Sequence, residues 1–167
     1  MWSEQKRFVA YGTGVNVPVV GAKGYSVTLG GTGIIPTHPI YLSKEKVGLS
    51  RFGKTLRIAG IFELPAESAK PDRRRGRQIT EDALPYLQDW RPHARDPGVD
   101  TWAGLRPATP DSLPLIGELP SHRHLYLATG HGMLGVTLAP ATGKAIAELL
   151  SASHTPPWLE PFRPDRL

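Results

Sequence analysis

Leu125-Tyr126-Leu127-Ala128-Thr129-Gly130-His131-Gly132-Met133-Leu134-Gly135 is the stretch on which the reading of this chain turns. Its first half is β-prone and alternating, it stops at glycines, and from Thr137 to Ser151 the apolar residues fall at Leu138, Ala141, Ala145, Ile146 and Leu149, a helical spacing. The unit predicted is strand, glycine turn, helix. Pro140 fits only the first turn of a helix, where its missing N–H costs little, so the helix is expected to start between Leu134 and Ala139. The free N–H groups of that turn and the helix dipole favour negative charge beyond the strand's end, and Gly130, Gly132 and Gly135 let a ligand approach the backbone.

Gly130, Gly132 and Gly135 also spell G-x-G-x-x-G, the pattern of a dinucleotide-binding turn. That pattern needs a second parallel strand after the helix, with an acidic residue roughly 20 residues on. Glu148 has about that offset but lies inside the helical pattern, and Ser151-Ala152-Ser153-His154-Thr155-Pro156-Pro157 then offers no strand. The stretch therefore reads as a helix start facing an anion, and not as a nucleotide-binding βαβ unit.

Upstream, residues Val17 to Leu29 are rich in β-branched and aromatic side chains, and Gly30-Gly31-Thr32-Gly33 reads as the closing turn. Ile40 to Leu42, Val47 to Phe52 and Leu56 to Phe62 follow at short intervals around Gly53-Lys54, which predicts an antiparallel sheet of about four strands. Pro71-Asp72 marks a helix start and Leu84-Pro85 its end. Punctuation from Arg91 to Gly98 separates this region from Trp102-Ala103-Gly104-Leu105-Arg106-Pro107. The fold class expected is α+β: residues 1–16 connect, 17–100 form a sheet domain with one helix, and 101–167 carry the strand–helix unit.

A chain of 167 residues can bury a core, and its 18 glycines and 17 prolines imply many turns. With no cysteine, disulfides, thiol catalysis and cysteine-ligated metals are excluded. No signal-peptide pattern and no apolar stretch long enough to span a bilayer is read, so a cytoplasmic protein is expected. The net charge of +5 and the cluster Arg73, Arg74, Arg75 and Arg77 invite a nucleic-acid reading. The competing reading is preferred: these arginines share a segment with Asp72, Glu81 and Asp82 and a stripe of Ile79, Ala83 and Leu84, and no aromatic residue is interleaved to stack on bases.

Arg106 precedes Pro107 and so ends an extended segment, on the face shared by Gly104 and Trp102. A planar guanidinium fixed there can hold a carboxylate by two parallel hydrogen bonds. The residues leave open the alternative that Arg106 pairs with Asp111 and that Trp102 is core. His131 could donate to a ligand, although a histidine in a glycine turn is more often a local backbone partner. The histidines lack metal-ligand spacing, and no Ser/His/Asp arrangement stands out.

Lys23-Gly24-Tyr25-Ser26, Arg51-Phe52, Leu56-Arg57-Ile58-Ala59-Gly60, the stretch from Trp102 through Pro107 with Thr109-Pro110-Asp111, Pro114-Leu115-Ile116-Gly117, and Thr129-Gly130-His131-Gly132 with Gly135 occur in this order. Together they resemble the C-terminal half of the FAD-dependent D-amino-acid dehydrogenases (small subunit), within the D-amino-acid oxidase and glycine oxidase-like flavoproteins. The resemblance implies that Arg106 grips the carboxylate of a D-amino acid, and that Gly104 and the turn Gly130, His131, Gly132, Met133, Leu134, Gly135, Val136 and Thr137 face the flavin of FAD. Tyr41 and Met133 are weaker candidates for substrate contact. Met133 stands where glycine oxidases carry a second arginine, which argues against glycine-oxidase activity. The implied reaction moves a hydride from the substrate's Cα to the flavin, leaving an imino acid that hydrolyses.

The resemblance further implies that this sequence is a C-terminal portion without the family's N-terminal nucleotide-binding unit. Alone it is expected to bind FAD weakly or not at all and to be inactive, with a partner chain or a homo-oligomer as a possible complement. The alternative is a non-catalytic interaction module that keeps the fold and pairs its exposed apolar face with itself.

Overall fold

The computed structural model describes residues 8–9, 14–93, 100–151 and 155–167. The chain divides into two compact units: Lys23–Leu105, and Met1–Ala22 together with Arg106–Leu167. Two short strands, β1 (Phe8–Val9) and β2 (Asn16–Val17), pair antiparallel. The long strand β3 (Val20–Leu29) alternates buried and half-buried residues, but its phase changes at Gly24, where the pairing register shifts. Before that bulge the even-numbered Val20 and Ala22 are buried, and after it the odd-numbered Tyr25, Val27 and Leu29 are. One extra residue in a strand swaps which side chains face the core, because the side-chain period is two.

β4 (Gly31–Gly33), β5 (Ile40–Leu42), β6 (Val47–Phe52) and β7 (Thr55–Glu63) come next. β5, β6, β7 and β3 pair antiparallel in that order, as the strand spacing predicted, and β9 (Thr101–Ala108) completes this sheet beside β3. Alternation places Val27 and Leu29, Val47 and Leu49, and Leu56 and Ile58 in one core with Tyr25, Trp90 and Ala103. The helix α1 (Arg73–Ala83) closes that core with Ile79 and Ala83. It begins where Pro71-Asp72 predicted: the Asp72 carboxylate caps it by accepting from the Arg74 N–H at 2.8 Å. At Leu84-Pro85 it passes into a 3₁₀ turn, Leu84–Tyr86. Arg73, Arg74, Arg75 and Arg77 are exposed, and Arg75 pairs with Glu63 at 2.8 Å.

The expectation of a closing turn at Gly30 to Gly33 is corrected. Gly31–Gly33 is itself a strand, paired antiparallel with β8 (Trp90–Pro92). The glycines are there because a Cβ at residue 31 would lie 2.5 Å from the buried Trp90 indole, and one at residue 33, where φ is +101°, would run into the Asp89 carbonyl. Of the expected boundary at Arg91 to Gly98, Arg91 and Pro92 are therefore strand, and residues 94–99 lie outside the described ones. The expected connecting segment, residues 1–16, is likewise outside them except at 8–9 and 14–16.

In the other unit, β10 (Leu115–Leu119) and β11 (His122–Thr129) form an antiparallel hairpin, Leu115 opposite Thr129 and Gly117 opposite Leu127. One face buries Leu115 and Leu119 with Val15, Val17 and Val19. The other packs Ile116 and Tyr126 on Ala145, Ile146 and Leu149 of α2 (Gly135–Ser151) and on Leu159 of the 3₁₀ segment Pro157–Phe162. A further 3₁₀ turn, Pro164–Arg166, follows it. α2 starts within the expected window, after a 3₁₀ turn at Gly132–Leu134. Pro140, however, lies inside the helix rather than in its first turn. With no N–H at 140, the Val136 carbonyl loses its partner four residues on, and the exposure of Val136 makes this tolerable because water can replace the donor. Among the described residues no strand follows α2, so the G-x-G-x-x-G turn is not part of a βαβ unit.

One further expectation is corrected. By length and composition alone, the helical stretch Gly132–Ser151 is long and apolar enough to cross a bilayer. Its many alanines, glycines and threonines supply that apolar character without a bulky run, which is why the sequence did not read as a span.

Candidate functional site

β9 runs toward the site with Trp102, Gly104, Arg106 and Ala108 on one face, as alternation requires. The Trp102 indole folds across Gly104, occupying the space that a Cβ at 104 would need. Trp102 is 62% exposed and is therefore a surface residue, contrary to the reading that makes it core. The strand's last residue, Ala108, bridges to His131 in the glycine turn. Arg106, two residues upstream, is thereby about 7 Å along the strand from that bridge.

Arg106 is half-buried, and its Nη1 is fully buried with no hydrogen-bond partner among the described residues. Burial pushes its pKa below the ordinary arginine value, though a guanidinium stays charged at any working pH. A desolvated N–H on a cation without an acceptor is costly, since native proteins pair nearly all such groups. Asp111, the partner the sequence left open, is not available. Its carboxylate is held by the Arg166 guanidinium in a two-bond fork, Nε to Oδ2 at 2.8 Å and Nη2 to Oδ1 at 3.0 Å. That fork holds the Asp111 pKa down to about 2.

The glycine turn is built for close approach. Gly130 sits at φ +80° and Gly132 at +54°, conformations that favour glycine, and a Cβ on Gly132 would meet nothing within 4 Å. The first residues of α2 follow with no acidic side chain in the first turn, so their backbone N–H groups and the helix dipole are uncompensated. Met133, Leu134 and Val136 are all exposed, Val136 at 92%. His131 is turned away from a ligand role: its Nε2 is 2.9 Å from Thr142 Oγ1, a side-chain partner one helical stretch on, where a backbone partner was the favoured local reading. Burial lowers its pKa, so it is neutral at pH 7.

The structure thus gathers Arg106 and Gly130, His131, Gly132, Met133, Leu134, Gly135, Val136 and Thr137 into one unit, whereas Gly104 and Tyr41 belong to the other. Tyr41 is exposed on β5. Sequence reasoning gave no role to Arg166, Thr109 or Thr142. Arg166 is one of 20 lysines and arginines and lies 55 residues from Asp111, so nothing local marks it. A cavity of about 410 Å³, lined among others by Gly117, Glu118, Arg123, His124 and Arg163, lies at the other end of the hairpin from the glycine turn. Among the described residues no group of three or more His, Asp or Glu is placed to hold a metal.

The profile of the family described as FAD dependent oxidoreductase matches residues 2–149. A D-amino acid dehydrogenase of Paramagnetospirillum magneticum is 39% identical over 140 residues, which cover 83% of this chain and 32% of that protein. A D-amino acid dehydrogenase of Vibrio vulnificus is 34% identical over 157 residues, 90% of this chain and 36% of that one. The chain thus spans about a third of the length of the curated relatives it matches. Among solved structures, glycine oxidase from Geobacillus kaustophilus superposes with a TM-score of 0.75 at 24% identity, covering 92% of this chain and 41% of that one, a likeness of fold.

Proposed function

Because the chain belongs to the FAD dependent oxidoreductase family, we propose that it forms the substrate-carboxylate grip and the flavin-ring side of a dehydrogenase acting on D-amino acids. The observation that carries this reading is the buried, unpartnered Nη1 of Arg106 on a strand bridged to the glycine turn. A carboxylate is the acceptor that satisfies it, with the fork geometry of the guanidinium fixing orientation as well as affinity.

The residues fit one end of FAD. The open turn at Gly132 and the uncompensated start of α2 suit the flat, electron-rich edge of a flavin ring. When bound, FAD supplies the acceptor for the hydride leaving the substrate's Cα. Arg106 would hold the substrate carboxylate so that Cα has one allowed position, and the N–H groups at Gly135, Val136 and Thr137 would stabilise negative charge on the ring. His131, with its Nε2 bonded to Thr142, orients the turn. Met133 leaves Arg106 as the one cation of the turn and strand directed to the carboxylate, in keeping with D-amino acids that carry a single one.

For the adenosine and pyrophosphate half of FAD, no strand–glycine turn–helix–strand unit exists among the described residues. The chain alone therefore holds FAD weakly and turns over no substrate. Calorimetric titration with D-alanine tests the grip: measurable binding is expected for the wild type, and its loss in Arg106→Ala. Titration with FAD, followed by flavin fluorescence, tests the cofactor side. Saturable quenching at micromolar FAD, with bleaching on adding a D-amino acid, would overturn the weak-binding statement. Absence of both ligands together with dimerisation would favour the interaction-module reading, for which the exposure of Leu134 and Val136 speaks.

A further inference from the structure

Arg166 lies in the terminal 3₁₀ turn, beyond the residues that the family profile matches. All five of its N–H donors are used. Nε and Nη2 hold the Asp111 carboxylate, Nη2 also donates to the Leu113 carbonyl at 2.8 Å, and Nη1 donates to the carbonyls of Pro114 at 3.1 Å and Arg163 at 3.0 Å. Its side chain is only 15% exposed. An ordinary surface ion pair shares one or two bonds and is worth little, but a guanidinium with every donor engaged defines a position.

Four of those five bonds end on Asp111–Pro114, a turn that also holds itself together. Thr109 Oγ1 donates to the Leu113 carbonyl at 2.8 Å, the Leu113 N–H to Asp111 Oδ1 at 3.1 Å, and the Ser112 N–H to the Thr109 carbonyl at 3.3 Å. Ser112 at φ +63° shows that the turn is not one the chain adopts without help. The turn connects the two halves of the candidate site. Upstream it continues directly from Arg106-Pro107-Ala108. Downstream it enters β10, whose Leu115 faces Thr129, the residue before Gly130. Between the two, Thr109 Cγ2 lies 2.6 Å from where a Cβ on Gly130 would sit, so the turn packs directly on the glycine.

We propose that Arg166 is a positioning residue. Through Asp111 and the Thr109–Pro114 turn it sets Arg106 against the Gly130–Gly135 turn, so the C-terminal residues determine the geometry of a carboxylate site they do not touch. As a statement about substrate this rests on the function proposed above. As a statement about geometry it stands by itself, and the test separates the two.

The full chain is compared with Arg166→Gln, Arg166→Lys and Asp111→Asn by hydrogen exchange, by the NMR resonance of the Arg106 Nε–H, and by titration with acetate as the carboxylate probe. Arg166→Gln and Asp111→Asn are each expected to speed amide exchange about tenfold at Asp111–Leu115 and at Gly130–Gly132. They should also shift the Arg106 resonance and weaken acetate about tenfold, with far-UV circular dichroism unchanged. Arg166→Lys should recover none of this, since one ammonium cannot replace the fork and its three carbonyl bonds. Faster exchange confined to residues 157–167 with an unmoved Arg106 resonance overturns the proposal. Global unfolding of all three variants also overturns it, because the pair is then simply structural. A wild-type chain that ignores acetate removes the carboxylate reading, while exchange and the Arg106 resonance still decide the positioning role.

Discussion

Replacing Arg106 by methionine should move stability and ligand binding in opposite directions. In the free chain the Arg106 Nη1 is buried and has no partner among the described residues, a situation that costs about 1–3 kcal/mol per group. Methionine keeps an unbranched apolar stem of similar reach and carries no donor, so the packing of the stem is retained while the orphaned N–H disappears. Arg106 as a whole is only half-buried, which places the net gain at the low end, about 1 kcal/mol. For a chain of this length that is roughly 2–4 °C in melting temperature. A bound carboxylate reverses the balance, because truncating one partner of a desolvated, hydrogen-bonded charge pair costs about 2–5 kcal/mol, or about 30-fold to a few thousandfold in affinity. Thermal melts with and without D-alanine read both effects: D-alanine should raise the wild-type midpoint by mass action and leave Arg106→Met unmoved. A variant that melts several degrees below the wild type would show that Nη1 has an acceptor, and the reasoning would fail at its first step.

Three further outcomes are expected. Gly130→Ala should cost about 1–3 kcal/mol in chemical denaturation, because φ is +80° there and the added methyl meets Thr109 Cγ2 at 2.6 Å; an unchanged midpoint would mean the turn is free to move. Asp111 titrates near 2 in the folded chain against an ordinary 3.8, so its contribution is complete above pH 3.8 and lost as pH falls through about 2. With its side chain 32% exposed, the shift is worth about 1 kcal/mol after solvent screening, and Asp111→Asn should flatten the stability profile in that window. Arg74→Glu should stabilise by about 0.3–1 kcal/mol, since Arg74 is an exposed cation in the first turn of α1, where it opposes the helix dipole that the Asp72 cap alone complements; a lower melting temperature would show that the basic cluster has a role the helix face does not explain.

Local physics made much of this protein legible before any coordinates. The strands at Ile40–Leu42, Val47–Phe52 and Thr55–Glu63 follow from alternation and short turns, and α1 from an aspartate that caps its first turn. The glycine turn with a helix behind it follows from residue types a few positions apart, and so does the extended segment through Arg106, although the strand does not end there as Pro107 suggested but runs on to Ala108. Each of these is set by neighbours along the chain, where side-chain period and backbone sterics act directly.

Tertiary packing decided the rest. Whether Gly31 to Gly33 closes a strand or continues as one depends on the Trp90 indole, which arrives from a distant stretch and fits only against residues lacking a Cβ. Whether Arg106 is a satisfied structural arginine or one with an orphaned donor depends on which cation claims Asp111. The claimant, Arg166, lies 55 residues away, and its choice is enforced by three carbonyls that only the folded turn presents together. A sequence shows that both arginines could pair with the one carboxylate. Only the closed structure, by saturating one guanidinium and desolvating the other without an acceptor among the described residues, decides which of them keeps an unpaired donor.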